Sequence, residues 1–119
     1  MEVRVFTLCD GAYNYNGKLT IVGTIDNIKV PKTPVITSVG LAIKIALTAN
    51  ESGKKKINIY FKTKDGELMA PEITFDAEIK DQIIIAGIVD GIKVNEIGDC
   101  VVELMVGNSL FTLPFKIVK

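Results

Sequence analysis

Apolar and polar residues alternate along most of this chain with a period of two, not the 3.6 residues of a helix. The clearest example runs from position 38 to position 48, where large aliphatic side chains are separated by small or polar ones. Alternate residues of a strand point to opposite faces of its sheet, so this pattern predicts a strand with one buried face. The aliphatic positions are Val39, Leu41, Ile43, Ile45 and Leu47.

The same reasoning predicts about eight strands separated by turn residues. Pro31 and Pro34 predict a connection that crosses between sheets, and a short extended piece is expected around Ile92 and Val94. The predicted strands cover positions 3–8, 18–25, 38–48, 56–62, 73–80, 82–89, 100–106 and 111–117. The turn signals between them are Cys9-Asp10-Gly11, Asn16-Gly17, Asp65-Gly66, Asp90-Gly91, Gly98-Asp99 and Gly107-Asn108.

Short strands at regular spacing, without a helical pattern of useful length, are typical of an all-β protein. We expect a two-sheet β-sandwich of immunoglobulin-like or C2-like type, built as a single domain over positions 1–119. Apolar residues make up 48% of the sequence, which is enough for one core. The sequence contains no tryptophan, so the conserved core of antibody domains is missing.

The most polar stretch near the N-terminus is the predicted loop between the first two strands. Its candidate binding residues are Asp10, Tyr13, Asn14, Tyr15 and Asn16. Tyrosine offers rigid aromatic area and asparagine offers adaptable hydrogen bonds, a combination common in recognition loops. The alternative is structural: the tyrosines cap one end of the sandwich and the asparagines satisfy loop backbone. We expect this loop to be exposed to solvent.

A second candidate surface comes from strands that are apolar on both faces, because a sandwich core covers only one of them. The pattern predicts an apolar patch for self-association or a protein partner. The competing explanation is that the connection at 31–37, or the segment at 90–98, folds over the patch. Its predicted members are Ala42, Ala46, Ile84, Ala86, Ile88, Val101 and Met105.

Charge and composition exclude several functions at the level of sequence. Fourteen basic residues balance fourteen acidic ones, so we expect neither nucleic acid nor an anionic membrane as a partner. Without histidine the chain lacks the commonest general base and metal ligand. The aspartates are scattered and no phosphate-binding or dinucleotide-binding motif occurs, so we expect no metal and no cofactor. The sequence therefore predicts a protein that is not an enzyme.

The two cysteines and the N-terminus bear on the compartment. Cys9 and Cys100 are too few for a disulfide framework, and the opening MEVRVF lacks the apolar core of a secretion signal. We expect two reduced thiols in a cytoplasmic protein.

The opening segment also resembles a known group of proteins. Cys9-Asp10-Gly11-Ala12, Asn16-Gly17-Lys18, Ile21 with Gly23, and the stretch from Ile28 to Pro31 resemble a family of uncharacterised bacterial single-domain β-sandwich proteins. The resemblance implies the fold and an intracellular setting, and it carries no activity or site residue with it.

Taken together, these patterns favour an intracellular β-sandwich that acts by binding protein or by self-association, without catalysis. The alternative function is a small-ligand or carbohydrate-binding module that uses the Tyr13–Asn16 loop.

Overall fold

The computed structural model describes residues 1–119 and is built almost entirely of strands, which confirms the predicted all-β class. Nine strands and one 3-10 turn follow one another along the chain. The strands are β1 Glu2–Tyr15, β2 Lys18–Ile25, β3 Asn27–Lys29, β4 Val35–Ala46, β5 Gly53–Thr63, β6 Ile73–Ile79, β7 Gln82–Val94, β8 Gly98–Val106 and β9 Ser109–Val118. The 3-10 turn, Ala49–Glu51, lies between β4 and β5.

The strands form two sheets. The four-stranded sheet has the order β2-β1-β4-β7, and the five-stranded sheet has the order β3-β9-β8-β5-β6. All pairs are antiparallel except β3 with β9. Because β3 and β4 belong to different sheets, the proline-containing segment between them crosses from one sheet to the other, as predicted.

One continuous apolar core lies between the two sheets. Its largest fully buried side chains include Leu41 and Ile43 of β4 and Phe61 of β5, so both sheets contribute. The rings of Phe61 and Phe115 meet edge to face, with centroids 6.1 Å apart. The alternation predicted for β4 therefore identifies the buried face of this strand correctly.

β7 is longer than the sequence pattern predicts. Asp90-Gly91 was expected to end one strand and separate it from a piece around Ile92, yet β7 continues to Val94. The pairing of β7 with β4 shifts by one residue between Val89 and Ile92, and Gly91 has a φ of 72°. The dipeptide therefore forms a β-bulge, which bends the strand without ending its pairing.

The predicted loop at 10–16 is also strand. β1 runs through it to Tyr15, and Asn16 and Gly17 form the tip of a hairpin with β2, with φ values of 50° and 76°. Both values are positive, which is the geometry of a two-residue hairpin turn of this composition. The Asn16-Gly17 turn was predicted correctly, whereas the turn predicted at Cys9-Asp10-Gly11 is wrong, because these residues continue β1 and pair with β2.

The outer half of the β1–β2 hairpin folds back across the four-stranded sheet. The pairing of β1 with β4 begins at Glu2, opposite Ala46, and ends at Cys9, opposite Gly40. Ala46 also pairs with Gln82 of β7, so Gln82 lies at the end of the sheet where β1 begins. The hairpin tip then returns to the starting end, since a Cβ at Gly17 would lie 3.8 Å from the Gln82 amide nitrogen. β1 also approaches β7, although β4 separates the two strands within the sheet.

A second, smaller apolar cluster lies beneath the folded hairpin. Ala12 of the hairpin joins Cys9 and Ala42 there, and all three are buried. Leu19 and Ile21 pack against the same cluster from β2, together with Val5 and Ala86 of the sheet. The hairpin thus covers the outer face of the four-stranded sheet and adds a partial third layer to the sandwich.

Gly40 permits β1 to pass close to β4 where the hairpin bends. A Cβ at Gly40 would lie 2.6 Å from the Cys9 carbonyl oxygen and 2.9 Å from the Cys9 sulfur. Backbone cannot move aside as the end of a side chain can, so only glycine fits at this position without a shift of the strands.

The first prediction concerns this contact. Replacing Gly40→Ala should lower the free energy of unfolding by about 1–3 kcal/mol, because overpacking forces β1 away from β4. Gly87→Ala is the matched control: Gly87 pairs with Leu41, the neighbour of Gly40, and has nothing within 4 Å of an added Cβ. Urea denaturation should show the control within about 0.5 kcal/mol of wild type. Equal losses in the two variants would contradict the close-approach explanation.

The N-terminus is fixed to the 3-10 turn that connects β4 in one sheet to β5 in the other. The α-ammonium group of Met1 donates to both carboxylate oxygens of Glu51 at 2.7 Å. The backbone N–H of Thr48 donates to the same carboxylate at 2.9 Å. These hydrogen bonds lower the pKa of Glu51 to about 2, from an ordinary value of 4.5.

The second prediction follows from the direction of this shift. A depressed carboxyl pKa adds stability above the unfolded value of 4.5, and this stability is lost as the pH falls toward 2. Glu51→Gln should therefore lower the urea midpoint at pH 6 and make little difference near pH 2. Glu72→Gln removes an exposed carboxylate outside any ion pair and should show no such pH dependence. A Glu51→Gln effect that is constant with pH would contradict the ion-pair account.

Candidate recognition surface

The folded hairpin has one face fixed to the sheet and one face turned to solvent. Ala12, Leu19 and Ile21 anchor the inner face on the small apolar cluster. Tyr13 and Tyr15 are 62% and 70% exposed, although each belongs to a paired strand. The prediction that this segment is accessible is confirmed for the tyrosines and asparagines, whereas Gly11 and Ala12 are buried.

The two tyrosines lie on one side of the hairpin and share it with residues of β2. Tyr13 pairs with Thr20, Tyr15 pairs with Lys18, and Val22 pairs with Gly11. Directly paired residues and residues two apart lie on the same face of a sheet. We call Tyr13, Tyr15, Lys18, Thr20 and Val22 the tyrosine face. A Cβ at Gly11 would lie 3.5 Å from the Tyr13 hydroxyl oxygen, so the Tyr13 ring lies back along the strand over this glycine.

The polar members of the predicted loop have structural roles. The side-chain oxygen of Asn14 accepts a hydrogen bond from the backbone N–H of Gly17 at 3.2 Å. Asn16 occupies the turn with its positive φ. Asp10 lies at the other end of the hairpin, at the bend. Its carboxylate fills the space beside Gly23, so a Cβ added at Gly23 would clash with this carboxylate. The structure therefore brings the tyrosines together but separates them from Asp10.

Gly23 has little room for a side chain, because the Asp10 carboxylate lies beside it. Its φ is 63°, which L side chains rarely adopt. The bend also explains why residues on one face of β2 have two destinations. Ile25 packs against the main core, while Leu19 and Ile21 pack against the small cluster under the hairpin.

The predicted self-association residues do not form one patch. Ala42, at 0% exposure, lies under the hairpin and faces no solvent, and Ala86 packs beside it, which corrects the expectation of a free surface there. Neither the 31–37 connection nor the 90–98 segment provides the cover in this cluster. Ala46 and Ile84 are half-buried and Ile88 is 52% exposed. Val101 and Met105 are half-buried on β8, in the other sheet.

Both cysteines are free and buried, and they lie in different sheets. Burial raises the pKa of the Cys9 thiol, and the nearby Asp10 charge adds to this although a hydrogen bond from Gly11 opposes it. Burial and the charge of Asp99 raise the pKa of Cys100. A raised pKa reduces the thiolate fraction, which is the opposite of what a nucleophilic cysteine needs.

An open cleft of about 380 Å³ lies at the bend of the hairpin. Cys9, Asp10, Lys29 and Ser38 line it together with Ile88. No group of three or more Cys, Asp or Glu side chains is arranged to hold a metal ion anywhere in the chain. The cleft thus brings a thiol, a carboxylate and an amine to one place, while burial raises the pKa of that thiol.

Val22 is a surface residue that sequence reasoning missed. It is 54% exposed and lies on the tyrosine face. The signal was present in the alternation of β2, where Thr20, Val22 and Thr24 occupy the face opposite Leu19 and Ile21. A valine among threonines on a polar face indicates an apolar spot that remains in water.

The comparison with protein families agrees with the opening segment. A model described as "Family of unknown function (DUF6941)" matches residues 4–118. The chain belongs to this family. The family resemblance predicted from the first third is confirmed, and it extends over nearly the whole chain. No curated protein matches the chain.

One solved structure shows the fold in another setting. It is Pseudomonas fluorescens alkylpurine DNA glycosylase AlkC bound to DNA containing an abasic site analog. The TM-score is 0.61 at 12% sequence identity, and the match covers 99% of this chain but only 30% of the glycosylase chain. At this identity the likeness shows a shared fold and nothing of activity.

This likeness corrects the expectation that nucleic acid is excluded as a partner. That expectation was based on zero net charge, yet a similar fold occurs within a protein solved in complex with DNA. Net charge describes the whole chain, whereas contact with a phosphate backbone depends on the charges of one local surface.

The structure contains no helix with the length and apolar character needed to cross a membrane.

The third prediction tests the hairpin as the cover of Cys9. Both thiols should react with a maleimide at least about tenfold more slowly than in the urea-unfolded chain, since reaction requires local opening. Gly23→Ala should accelerate labelling of Cys9 several-fold but not of Cys100, because it strains the bend. Gly91 has a similar positive φ but open space around it, so Gly91→Ala should leave the labelling of Cys9 as slow as in the wild type. Peptide mass spectrometry reads each thiol separately, and equal acceleration of both would indicate global unfolding instead.

Proposed function

We propose that this protein is a non-catalytic binding domain that recognises a protein partner through the tyrosine face of its folded hairpin. The observation that carries the proposal is the 62% and 70% exposure of Tyr13 and Tyr15 on a strand whose opposite face is packed. Tyrosine, with two rotatable side-chain bonds, offers large contact area at low entropic cost, and it is enriched in the centres of binding surfaces.

The anchoring of the hairpin supports this use of the tyrosines. Ala12 is 5% exposed beneath them, and the turn is closed by the Asn14 hydrogen bond. A surface that is already ordered loses little conformational freedom on binding. The tyrosine face therefore has the rigidity that a mobile loop of the same composition lacks.

The arrangement favours protein over carbohydrate. Sugar recognition needs polar groups placed beside the aromatic rings, to fix the hydroxyl groups of the ligand. Asn14 uses its oxygen within the turn, and Asp10 lies at the far end of the hairpin arm. Thr20 and Val22 flank Tyr13 and Lys18 lies beside Tyr15, and such a mixed apolar, polar and charged surface favours a protein partner over a sugar ring.

The proposal includes the setting expected from the sequence: an immunoglobulin-like or C2-like domain at 1–119, bacterial and cytoplasmic, that also self-associates as a homodimer. Two packed sheets with non-consecutive neighbours such as β1–β4 and β5–β8 support the immunoglobulin-like class. The two free cysteines support a reducing compartment.

The fourth prediction compares two pairs of exposed residues. Tyr13→Ser with Tyr15→Ser should abolish capture of the native partner, and it should weaken binding of that purified partner at least about 30-fold, as expected for loss of aromatic hot spots. The control pair, Phe75→Ser with Leu110→Ser, truncates residues 39% and 53% exposed on the other sheet and should bind normally. Capture from native lysate followed by calorimetry provides the measurement.

Three outcomes would contradict the proposal. The first is normal binding by the tyrosine variant, and the second is equal loss in the control pair. The third is tyrosine-dependent binding of a glycan, or of single-stranded or double-stranded DNA, with no protein captured. Thermal unfolding should show both variants folded at the temperature of the binding measurement, so that a loss of capture reports the surface and not the fold.

A further inference from the structure

β7 is the long open edge of the four-stranded sheet. It has thirteen residues and pairs on one side only, with β4. On its free side the chain supplies a single backbone hydrogen bond, from the N–H of Lys93 to the carbonyl oxygen of Met69. The backbone of the first half of β7 has no partner on that side.

This half of the edge also lacks the usual protection. Natural edge strands are blocked by charged side chains, prolines, bulges or covering loops. Positions 83–89 of β7 read IIIAGIV and contain no charge and no proline, and the Asp90–Gly91 bulge comes only after them. β6, the open edge of the other sheet, carries Asp76 and Glu78.

We infer that a second copy of this chain occupies the edge, with the two β7 strands paired antiparallel about a two-fold axis at Ala86. Ala86 is the centre of the uncharged run, so this register pairs the run with itself from end to end. Ile84 then lies opposite the second copy's position 88, Ile83 lies opposite position 89, and Gln82 lies opposite position 90. The register extends the four-stranded sheet into a continuous sheet of eight strands.

Gly87 supports this register in particular. In the self-pairing about Ala86, position 87 of one copy lies directly across from position 85 of the other. A Cβ at Gly87 would meet nothing within 4 Å, so space is open beside it, and Ile85 is a half-buried β-branched residue. The isoleucine of one copy would cover the glycine of the other, a cross-strand contact that stabilises sheets. Centring the axis on Gly87 instead would place Asp90 opposite Ile84.

A second copy fits the edge better than an unrelated strand. A foreign peptide would need its own apolar run of matching length, whereas the second copy presents the same run in the required antiparallel direction. The inference rests on the self-association in the proposed function but not on the tyrosine face.

The fifth prediction is a cross-link at the two-fold axis. Directly opposed residues of antiparallel strands have Cα atoms about 4.5–5.5 Å apart, within the range that a disulfide spans. Because Ala86 packs against the cluster that contains Cys9, both native cysteines are first replaced by alanine. In this background Ala86→Cys should form a covalent dimer under mild oxidation, at least about tenfold faster than Ile88→Cys. Ile88 is the matched control because it is more exposed, yet it lies across from position 84. Ile84→Cys combined with Ile88→Cys should link efficiently, while each alone should not.

The measurement uses non-reducing mass spectrometry with peptide mapping, beside light scattering of the wild-type protein at micromolar concentration. A wild-type dimer and the stated order of cross-linking are expected. Random cross-linking led by the exposed Ile88→Cys would overturn the inference, and so would a monomer at all concentrations. A dimer that Met105→Lys abolishes, without an Ala86→Cys link, would overturn the edge pairing but leave self-association in place. None of these outcomes affects the partner test on the tyrosine variants.

Discussion

The contact between the backbone of Cys9 and Gly40 determines the arrangement of the outer layer. At this point β1 leaves the plane of its sheet, and the hairpin turns back over the sheet that it has just helped to form. Because Gly40 has no side chain, β1 and β4 can approach each other closely at this point. The cover over Ala42 and Ala86, the burial of Cys9 and the position of the tyrosines all depend on this approach.

The folded hairpin combines two requirements that usually compete. A recognition surface needs exposed aromatic side chains, whereas an isolated two-stranded hairpin is only marginally stable in water. Here the small side chains of Ala12 and Ala42 let the hairpin lie flat on the sheet, and its apolar residues are buried there. The exposed tyrosines are therefore displayed on a third layer of the fold and not on a free loop.

Local patterns predicted what depends on neighbours in sequence. The alternation in β4 identified its core face, Asn16-Gly17 identified the hairpin turn, and the prolines at 31 and 34 identified a crossing between sheets. The prediction failed at Asp90-Gly91, because a bulge and a turn use the same residues and only the partner strand distinguishes them.

Local patterns also could not predict that the hairpin folds back over the sheet, because this too depends on a distant partner strand. Nothing near Cys9 in the sequence shows that Gly40 will lie beside it, since pairing between β1 and β4 joins distant parts of the chain. The apolar back of the four-stranded sheet was recognised, but its cover was sought in later segments. Candidate residues were thus found individually, while their grouping into a covered face and a displayed face required the three-dimensional contacts.

The short parallel strand β3 has a consequence for the order of folding. Ile28 is made early, yet its neighbour in the sheet is Ile117 of the last strand. Loop closure over such a separation is slow, and sheets rich in distant pairings fold slowly as a class. During synthesis β3 therefore waits for β9, whereas β5, β6 and β8 can pair with one another before β9 is made. Over that interval Ile28 has no strand beside it, and a chaperone that shields apolar strands would find its substrate there.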